Sequence, residues 1–213
     1  MRKEISGYKY KPLPMEFYQE KTLPLRTKIL GKLLVRKIDG KNLAGRIVEI
    51  EAYMGGDPAS HAAHGRTKRN SVMFGSGGIA YVYFTYGMHY CFNIVTEGEG
   101  FPAAYLVRAL EPVHGIDEMK LRRGLDDLRN LTNGPGKLCQ AFGIDRELNG
   151  TKLDSKKLFL ADDGYRVEKG MVVATTRIGI RQGTEKKWRF FLRGNEFVSG
   201  ANPERKRSGG EGK

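Results

Sequence analysis

Acidic residues, cysteine and long apolar runs are all scarce in this chain of 213 residues. Only 24 Asp and Glu stand against 37 Lys and Arg, so the formal net charge is +13 at pH 7. No apolar run approaches the roughly 20 residues of a membrane span, and the N-terminal residues lack the apolar segment of a signal peptide. These absences predict no membrane span and no secretion. The charge favours an anionic partner, with nucleic acid ahead of a membrane surface.

Cysteine is limited to Cys91 and Cys139, and no Cys/His set has the spacing of a zinc site. We expect two buried thiols, with a single disulfide as the alternative. His61 and His64 are three positions apart, but only Asp57 is near enough in sequence to join them as a ligand. The sequence therefore predicts no metal site, and it leaves the histidines either a loop role or a contact with a ligand.

The order of the periodic segments predicts one α+β domain built on an antiparallel sheet. Asp39-Gly40 separates two strand-like runs and is a common hairpin turn. Such hairpin signals outnumber strand–helix–strand spacings, which favours antiparallel pairing. We expect residues 1–14 to form a basic tail, residues 15–201 the domain and residues 202–213 a polar tail. The predicted strands are residues 32–38, 43–53, 79–84, 89–96, 103–110, 171–180 and 188–193, and the predicted helices are residues 22–31, capped by Thr22, 113–129 and 135–143.

Residues 58–96 contain no Asp or Glu, although Arg66, Lys68 and Arg69 lie among them. The part within residues 54–78 is predicted as a long functional loop. Cationic groups beside aromatic rings suit a protein that contacts phosphates and stacks on bases. Core strands with a solvated basic surface fit the same composition equally well. Seven aromatic residues lie between positions 74 and 92, namely Phe74, Tyr81, Tyr83, Phe84, Tyr86, Tyr90 and Phe92.

Tyr86 stands in the predicted turn between two of these strands, next to Gly87 and Met88. A large aromatic residue at a hairpin tip has no core to enter. It either folds back over its own strands or enters a duplex as a wedge in the place of an extruded base, with Met88 beside it. The sequence leaves both interpretations open.

Two glutamates in the strand-like run of residues 43–53 are candidates for acid–base chemistry. Because strand side chains alternate, Ile47, Glu49, Glu51 and Tyr53 are expected on one face. Like charges on one face, beside a tyrosine, raise the proton affinity of one carboxylate, which is one origin of a general base near neutral pH. A solvated face with its glutamates paired to Arg or Lys is the commoner arrangement. Spacing does not choose between the two glutamates.

Polar residues within apolar strands, and at one helix start, need partners. Arg108 lies in an apolar strand and requires a carboxylate or another polar partner if it is buried, with Glu51 as one candidate. Asn93 also lies among apolar residues and should be hydrogen-bonded. The helix after Gly134 begins with a glycine-rich turn and Lys137, which either is a plain capped start or binds a backbone phosphate.

Eight motifs follow one another along the chain: LRTKILG (25–31), GRIVEIEAYMG (45–55), DPASH (57–61), RTKRN (66–70), YVYFTYGMHYCFN (81–93), LVRALEP (106–112), GPGKLCQAFGI (134–144) and RFFLRG (189–194). Together they resemble the alkyladenine (3-methyladenine) DNA glycosylase family, and they cover nearly the whole chain. The resemblance implies the family fold, a single compact domain around a curved antiparallel sheet with surrounding helices, similar to a formyltransferase C-terminal domain.

The resemblance also implies catalytic roles. Glu51, rather than Glu49, matches the general base that activates water against the sugar C1′. Arg108 matches the residue that orients this water or the base glutamate. Tyr86 matches the side chain that is inserted into the duplex.

Further matches imply how a flipped base is held. Tyr53, His61 and Tyr83 match the side chains that sandwich the base, and Asn93 matches the residue that screens out normal guanine through its 2-amino group. His89 departs from the family, which commonly has an aromatic residue there, and the loop after Tyr53 is shorter than in the family. These departures leave the substrate range open.

The expected function is that of a monofunctional DNA glycosylase. It would flip alkylated or deaminated purines out of double-stranded DNA and hydrolyse the N-glycosidic bond, which leaves an abasic site in base excision repair. Arg66, Lys68, Arg69 and Lys137 are expected phosphate contacts.

No metal and no organic cofactor is expected for this reaction. We expect a monomer that is associated with DNA in the cytoplasm, nucleoid or nucleus. A non-catalytic nucleic-acid-binding protein and a formyltransferase-like domain that acts on RNA are the alternatives.

Overall fold

The computed structural model describes residues 10–200, which form an eight-stranded sheet with helices around it. The strands are β1 (Leu33–Ile38), β2 (Lys41–Met54), β3 (Ala80–Thr85), β4 (His89–Val95), β5 (Ala103–His114), β6 (Leu158–Ala161), β7 (Val172–Thr175) and β8 (Arg189–Leu192). The α-helices are α1 (Thr22–Ile29), α2 (Ile116–Arg123) and α3 (Pro135–Phe142), and short 3-10 helices span Met15–Gln19, Ser71–Phe74, Leu128–Asn130 and Arg146–Leu148. The strands pair antiparallel throughout this part of the chain, so the predicted α+β domain is confirmed.

β2 is the central strand, because its 14 residues pair with three other strands. The order across the sheet is β3-β4-β5-β2-β1-β6. β8 pairs further along the β2 edge that β1 occupies, and β7 lies outside β8. The register between β2 and β5 shifts between Ile47 and Glu49 and again between Glu49 and Ile50. Bulges of this kind bend and twist a sheet, so the two strands curve together where the glutamates stand.

The predicted turns and helix ends at glycine are present. Asp39 and Gly40, with φ of 50° and 71°, connect β1 to β2, and Gly143, with φ of 57°, ends α3. The predicted cap of the first helix is wrong. Thr22 is the first helical residue, after Lys21, because its hydroxyl is engaged across the fold by Thr96 and Glu97.

Two predicted elements are shorter than expected. The predicted helix over residues 113–129 begins inside β5, and α2 then ends at Gly124, whose φ of 59° is left-handed. The predicted strand over residues 171–180 stops at Thr175, because Arg177 and Ile178 direct their hydrogen bonds to β2 rather than to a neighbouring strand. The four residues of β6 were not predicted, since so short a run shows no period.

Apolar side chains pack on both faces of the sheet. The larger cluster joins the helices to one face, through residues such as Leu25, Phe92 and Phe142. A smaller cluster on the other face contains Met73 and Tyr81 and lies beneath the loop of residues 54–78. The loop is therefore packed onto the sheet, which places its polar residues beside the strands.

The expected polar tail lies outside the described residues, as do the first nine residues of the expected basic tail. Pro12 forms a bridge with Ala161, and the Leu13 N–H donates to the Leu160 carbonyl at 2.8 Å, so this segment pairs with β6. In the described part of the chain, no helix is both long and apolar enough to cross a bilayer.

Candidate active site

A cavity of about 430 Å³ opens on the face of β3, β4 and β5 that carries the smaller apolar cluster. The register aligns Tyr81 with Asn93 and Tyr83 with Cys91. Because strand side chains alternate, these residues point to one face, and all four line the cavity. The volume lies within the usual range for small-molecule sites. Further wall residues are Tyr53, Ala59, His61, Met73, Thr85, His89, Leu106, Arg108, Pro135, Gly136, Ile178, Gly179 and Ile180.

Glu51 is fully buried one layer behind this cavity. The Tyr53 hydroxyl donates to its Oε2 at 2.9 Å, the Arg108 Nη1 donates to the same oxygen at 3.3 Å, and the Ile178 N–H donates to Oε1 at 2.7 Å. All three donors line the cavity. Burial raises the pKa of Glu51, and Arg108 opposes that rise with its charge. The carboxylate is therefore a stronger base than an exposed glutamate.

Glu49 is also fully buried, and it holds two arginines rather than facing water. Its Oε1 accepts from Arg108 Nε at 3.1 Å and from Arg189 Nε at 2.7 Å. Its carboxylate also accepts from the backbone and hydroxyl of Ser199. The expected partnership of Arg108 with Glu51 is present, and Glu49 shares it. The alternative of glutamates paired to arginine on a solvated face is correct in the pairing and wrong in the solvation, because both glutamates are buried.

The bulge in β2 corrects one further expectation. Ile47 was expected on the face of Glu49, but it belongs to the larger core cluster together with Val48. The register shift between Ile47 and Glu49 inserts one extra residue, so alternation restarts at that point. The second shift falls where β5 carries Arg108, which thereby stands opposite the glutamates.

Aromatic rings form one side of the cavity. The His61 and Tyr83 ring centroids are 4.5 Å apart at an interplanar angle of 68°. His61 Nδ1 lies 2.8 Å from the Tyr81 hydroxyl. Desolvation and the nearby Arg69 charge lower the pKa of His61, so the ring favours its neutral form. The structure thus brings Tyr53, His61 and Tyr83 to one cavity. Tyr81, for which no role at the base was predicted, lines the same cavity.

Asn93 is buried at the cavity wall. Its Nδ2 donates to the Tyr81 carbonyl at 3.0 Å and contacts the Cys91 carbonyl at 3.5 Å, which meets the expected need for partners. Cys91 and Cys139 are buried free thiols, so the expectation of two thiols is confirmed. Burial raises the pKa of Cys91.

Tyr86 and Met88 project from the β3–β4 turn with 82% and 70% of their surface exposed. Tyr86 therefore does not fold back over its own strands. Its φ is 52° and that of Gly87 is 68°. Left-handed backbone is rare for a bulky side chain, so the turn presents the ring outward at a conformational cost. Tyr86 also lines the cavity mouth.

The basic residues predicted as phosphate contacts lie in different environments. Arg66, Lys68 and Arg69 are exposed on the loop. The Arg69 guanidinium lies 5.6 Å from the Tyr83 ring centroid, so it borders the cavity itself. Lys137 is engaged, since its Nζ donates to the side-chain oxygen of Asn133 at 2.8 Å.

No role was predicted for some residues of the site. Buried Asn70 donates to the carbonyls of His61 and Gly65 and so shapes the loop. Arg177 and Ile178 come from a segment that was predicted as strand. Their contacts with the Glu51 strand join positions more than a hundred residues apart, which periodicity does not report. Within residues 10–200, no three His, Cys, Asp or Glu side chains are grouped to hold a metal ion.

A buried carboxylate behind an aromatic cavity, with an exposed aromatic side chain at its mouth, is suited to an enzyme that acts on a base outside the stack. The model of one family, described as methylpurine-DNA glycosylase, matches residues 16–196. The chain belongs to this family of DNA glycosylases.

Curated relatives from three organisms carry the name "Putative 3-methyladenine DNA glycosylase". The protein of Carboxydothermus hydrogenoformans is 50% identical over 187 residues, which is 88% of this chain and 98% of the relative. The Methanoculleus marisnigri protein is 49% identical, with 88% and 98% covered. The Salinibacter ruber protein is 45% identical, with 90% and 98% covered. The residues matched by the family, 16–196, include all eight strands and the residues that line the cavity.

Proposed function

We propose that the protein flips alkylated or deaminated purines out of duplex DNA and hydrolyses their N-glycosidic bond with a water activated by Glu51. The observation that carries this proposal is the buried Glu51 carboxylate, whose three donors all belong to the wall of an aromatic cavity. A base within the stack is out of reach of any such carboxylate, so it must leave the duplex first.

Extrusion of the base is assigned to the β3–β4 turn. The Tyr86 ring enters the duplex and fills the gap, with Met88 beside it. The extruded purine then lies in the cavity against Tyr53, His61 and Tyr83. A positively charged alkylated purine gains roughly 0.5–2 kcal/mol from an aromatic face. Asn93, at the wall, meets the purine edge and disfavours the 2-amino group of guanine.

Bond cleavage follows at the sugar. Glu51 takes a proton from the water, the water oxygen bonds to C1′, and the base departs with the electrons of the N-glycosidic bond. An alkylated purine that carries a positive charge leaves as a neutral molecule and needs no added proton. Because the carboxylate lies behind Tyr53 and Arg108, water reaches it between these side chains, and Arg108 holds the carboxylate in place.

Within residues 10–200, none of the side chains that line the cavity is a lysine. An amine at C1′ is required for a Schiff base, so we propose a monofunctional enzyme that leaves an abasic site. Arg66, Lys68, Arg69 and Lys137 are the proposed phosphate contacts. The protein is proposed to act as a DNA-associated monomer.

The test is single-turnover base release from a DNA duplex that carries one 7-methylguanine or one hypoxanthine. We expect release by the wild type and a loss of 10²–10⁴-fold in Glu51→Gln, the usual contribution of a general base. Glu20→Gln is the matched control, because Glu20 forms a salt bridge with Lys28 in which both side chains are about half exposed.

Two outcomes would contradict the proposal. Wild-type protein that releases neither base from duplex DNA does not have the proposed activity. Equal rates of base release by Glu51→Gln and the wild type would show that Glu51 is not the general base. An RNA duplex of the same sequence, measured in parallel, separates a DNA enzyme from one that prefers RNA.

A further inference from the structure

Arg177 and Asp57 form a buried ion pair beside the proposed base. Both side chains are fully buried. The Arg177 Nη2 donates to Asp57 Oδ1 at 2.9 Å, and its Nη1 donates to Oδ2 of the same carboxylate. The Arg177 Nη1 also donates to the Ala52 carbonyl of β2 at 2.9 Å. The pair therefore ties residues after β7 to β2 and to the loop that follows it.

The segment of residues 176–187 depends on these contacts for its position. It contains no helix or strand, so no backbone ladder holds it. Lys186 Nζ contacts Asp57 Oδ1 at 3.3 Å, and Arg177 Nη2 contacts the Gly183 carbonyl at 3.4 Å. Asp57 thus receives two cationic side chains from one irregular segment. Burial alone would raise the pKa of Asp57, but Arg177 and Lys186 hold this pKa below its usual range, so the carboxylate stays charged.

The pair touches the site at two points. Ile178 directly follows Arg177, and its N–H is the 2.7 Å donor to Glu51 Oε1. The Arg177 guanidinium carbon also lies 4.7 Å from the centroid of the Tyr53 ring, whose hydroxyl is another donor to Glu51. Two of the three donors to the carboxylate are therefore next to Arg177.

Stability alone is a weak reason for such a pair. Removing two charges from water is costly, and well-packed apolar residues in the same place are often as stable. A planar guanidinium that is bound at both ends does fix direction, because its donors form a rigid fork. The geometry therefore favours alignment as the role of the pair.

We infer that Asp57 and Arg177 are positioning residues for catalysis, because they hold the Ile178 N–H and the Tyr53 ring in register with Glu51. This inference rests on the proposed function of Glu51. Neither side chain needs to contact the base or the sugar. Their effect passes through the strength of Glu51 as a base.

Several titratable and charged groups lie around Glu51. They are Glu49 and Tyr53 on β2, Arg108 on β5, Arg189 on β8, Cys91 on β4 and Arg177 after β7. The Ile178 hydrogen bond lowers the pKa of Glu51. Arg177 and Glu51 also attract each other through their charges, so a cation at position 177, which both variants keep, favours the ionised carboxylate. Loss of alignment and loss of charge therefore predict different results.

The experiment compares Asp57→Asn, Arg177→Lys and wild type by single-turnover base release from pH 4 to pH 9. A misaligned Ile178 N–H raises the pKa of Glu51. We therefore expect the midpoint of the acid limb of the rate profile to shift to higher pH by about one unit in both variants, because a hydrogen bond to a charged group contributes that much free energy. In Asp57→Asn the Arg177 charge loses its partner, and this charge by itself would lower the pKa of Glu51 and shift the midpoint to lower pH. The direction in this variant thus separates alignment from charge.

Asp163→Asn is the matched control. Asp163 receives both nitrogens of Arg46, and Arg46 lies 4.1 Å from the centroid of the Tyr165 ring, so this pair has the same design away from the cavity. Its acid limb should coincide with that of the wild type. The chain has a single tryptophan, Trp188, which lies 5.3 Å from the Arg177 guanidinium carbon. Its emission therefore shows whether a variant is folded and whether the pair has moved.

The inference is supported if the acid-limb midpoint shifts to higher pH in both variants, the Trp188 emission changes, and the midpoint of Asp163→Asn equals that of the wild type. An acid-limb midpoint in folded Asp57→Asn that equals that of the wild type, or lies at lower pH, overturns the inference. If Asp57→Asn does not fold, the charge-preserving Arg177→Lys decides in the same way. Failure of the wild type to release any base would instead overturn the function of Glu51, so the two failures are distinguishable.

Discussion

Tyr53 contributes to the site through both its hydroxyl and its ring. Its hydroxyl donates to Glu51, and its ring lines the cavity in which a flipped base is proposed to lie. Burial, followed by the charge of Glu51, raises the pKa of Tyr53, so the hydroxyl stays protonated and remains a donor. Tyr53 thus combines a hydrogen bond to Glu51 with a position in the cavity wall, where we propose that it contacts the substrate.

Tyr53→Phe separates these contributions, because it removes only the hydroxyl. Glu51 then loses a hydrogen bond that lowers its pKa, so we expect the acid limb of base release to move to higher pH. In the wild type the midpoint of this limb should already lie above 4.5, the ordinary value for glutamate. Single-turnover rates across pH measure both midpoints.

The control for this variant is Tyr81→Phe. The Tyr81 hydroxyl lies beside His61 and has no hydrogen bond to Glu51, so its loss should leave the limb in place. A limb that Tyr53→Phe does not move would show that this hydroxyl does not act on Glu51.

At the scale of elements, two hairpin turns adopt the same backbone for different purposes. Asp39-Gly40 and Tyr86-Gly87 both place two successive residues at positive φ, the type I′ geometry. Aspartate is suited to this geometry, whereas a tyrosine there costs of order 1–3 kcal/mol. The strained turn is the one at the cavity mouth, which supports its proposed role as a wedge.

Tyr86→Asn tests this trade of stability for function. Asn tolerates left-handed backbone, so the variant should be more stable than the wild type by about 1 kcal/mol. Without the ring, base flipping should weaken by roughly 1–3 kcal/mol, as expected for the loss of one stacking contact. Thermal unfolding and single-turnover release under subsaturating protein measure the two effects.

Asp39→Asn at the unstrained turn provides the comparison for that variant. Neither stability nor release should change much there, because Asn and Asp both suit the turn. Unchanged release in Tyr86→Asn would mean that Tyr86 does not insert.

Predictable elements are those with a local cause. The β1–β2 and β3–β4 hairpins follow from alternating strands around glycine turns, and α3 follows from its proline start and its Gly143 end. The segment after Thr175 was mispredicted because its backbone bonds to Glu51 of a distant strand. β6 was missed because four residues carry too little pattern.

At the scale of the whole molecule, the excess of positive charge is unevenly placed. The acid-free residues 58–96 carry the exposed Arg66, Lys68 and Arg69, of which Arg69 lies against the Tyr83 ring of the cavity. The buried glutamates pair with arginines of the interior. The exposed cations are thus available for a phosphate backbone. The proposed phosphate contacts would give binding without sequence preference, so the proposed function leaves discrimination between bases to the cavity.

Affinity for an undamaged duplex should therefore depend steeply on salt. Contact with four phosphates would lower affinity roughly 100-fold between 50 and 200 mM salt, since each contact releases a counterion. Lys68→Gln should reduce the slope by about one, whereas Tyr86→Asn should leave it unchanged. Fluorescence anisotropy over a salt series measures the slopes, and a flat profile for the wild type would contradict phosphate contact.

The sequence alone determined the antiparallel α+β class, the hairpin turns and the family to which the chain belongs, because these depend on local pattern and on ordered motifs. It named Glu51 only through resemblance, since spacing treats Glu49 and Glu51 alike. The tertiary structure decided their difference. Bulges in β2 and β5 bring Arg108 against both glutamates. Glu49 is enclosed by Arg189 and Ser199, whereas the three donors to Glu51 found within residues 10–200 belong to residues that line the cavity. Contacts between distant strands set that difference, and no local pattern encodes them.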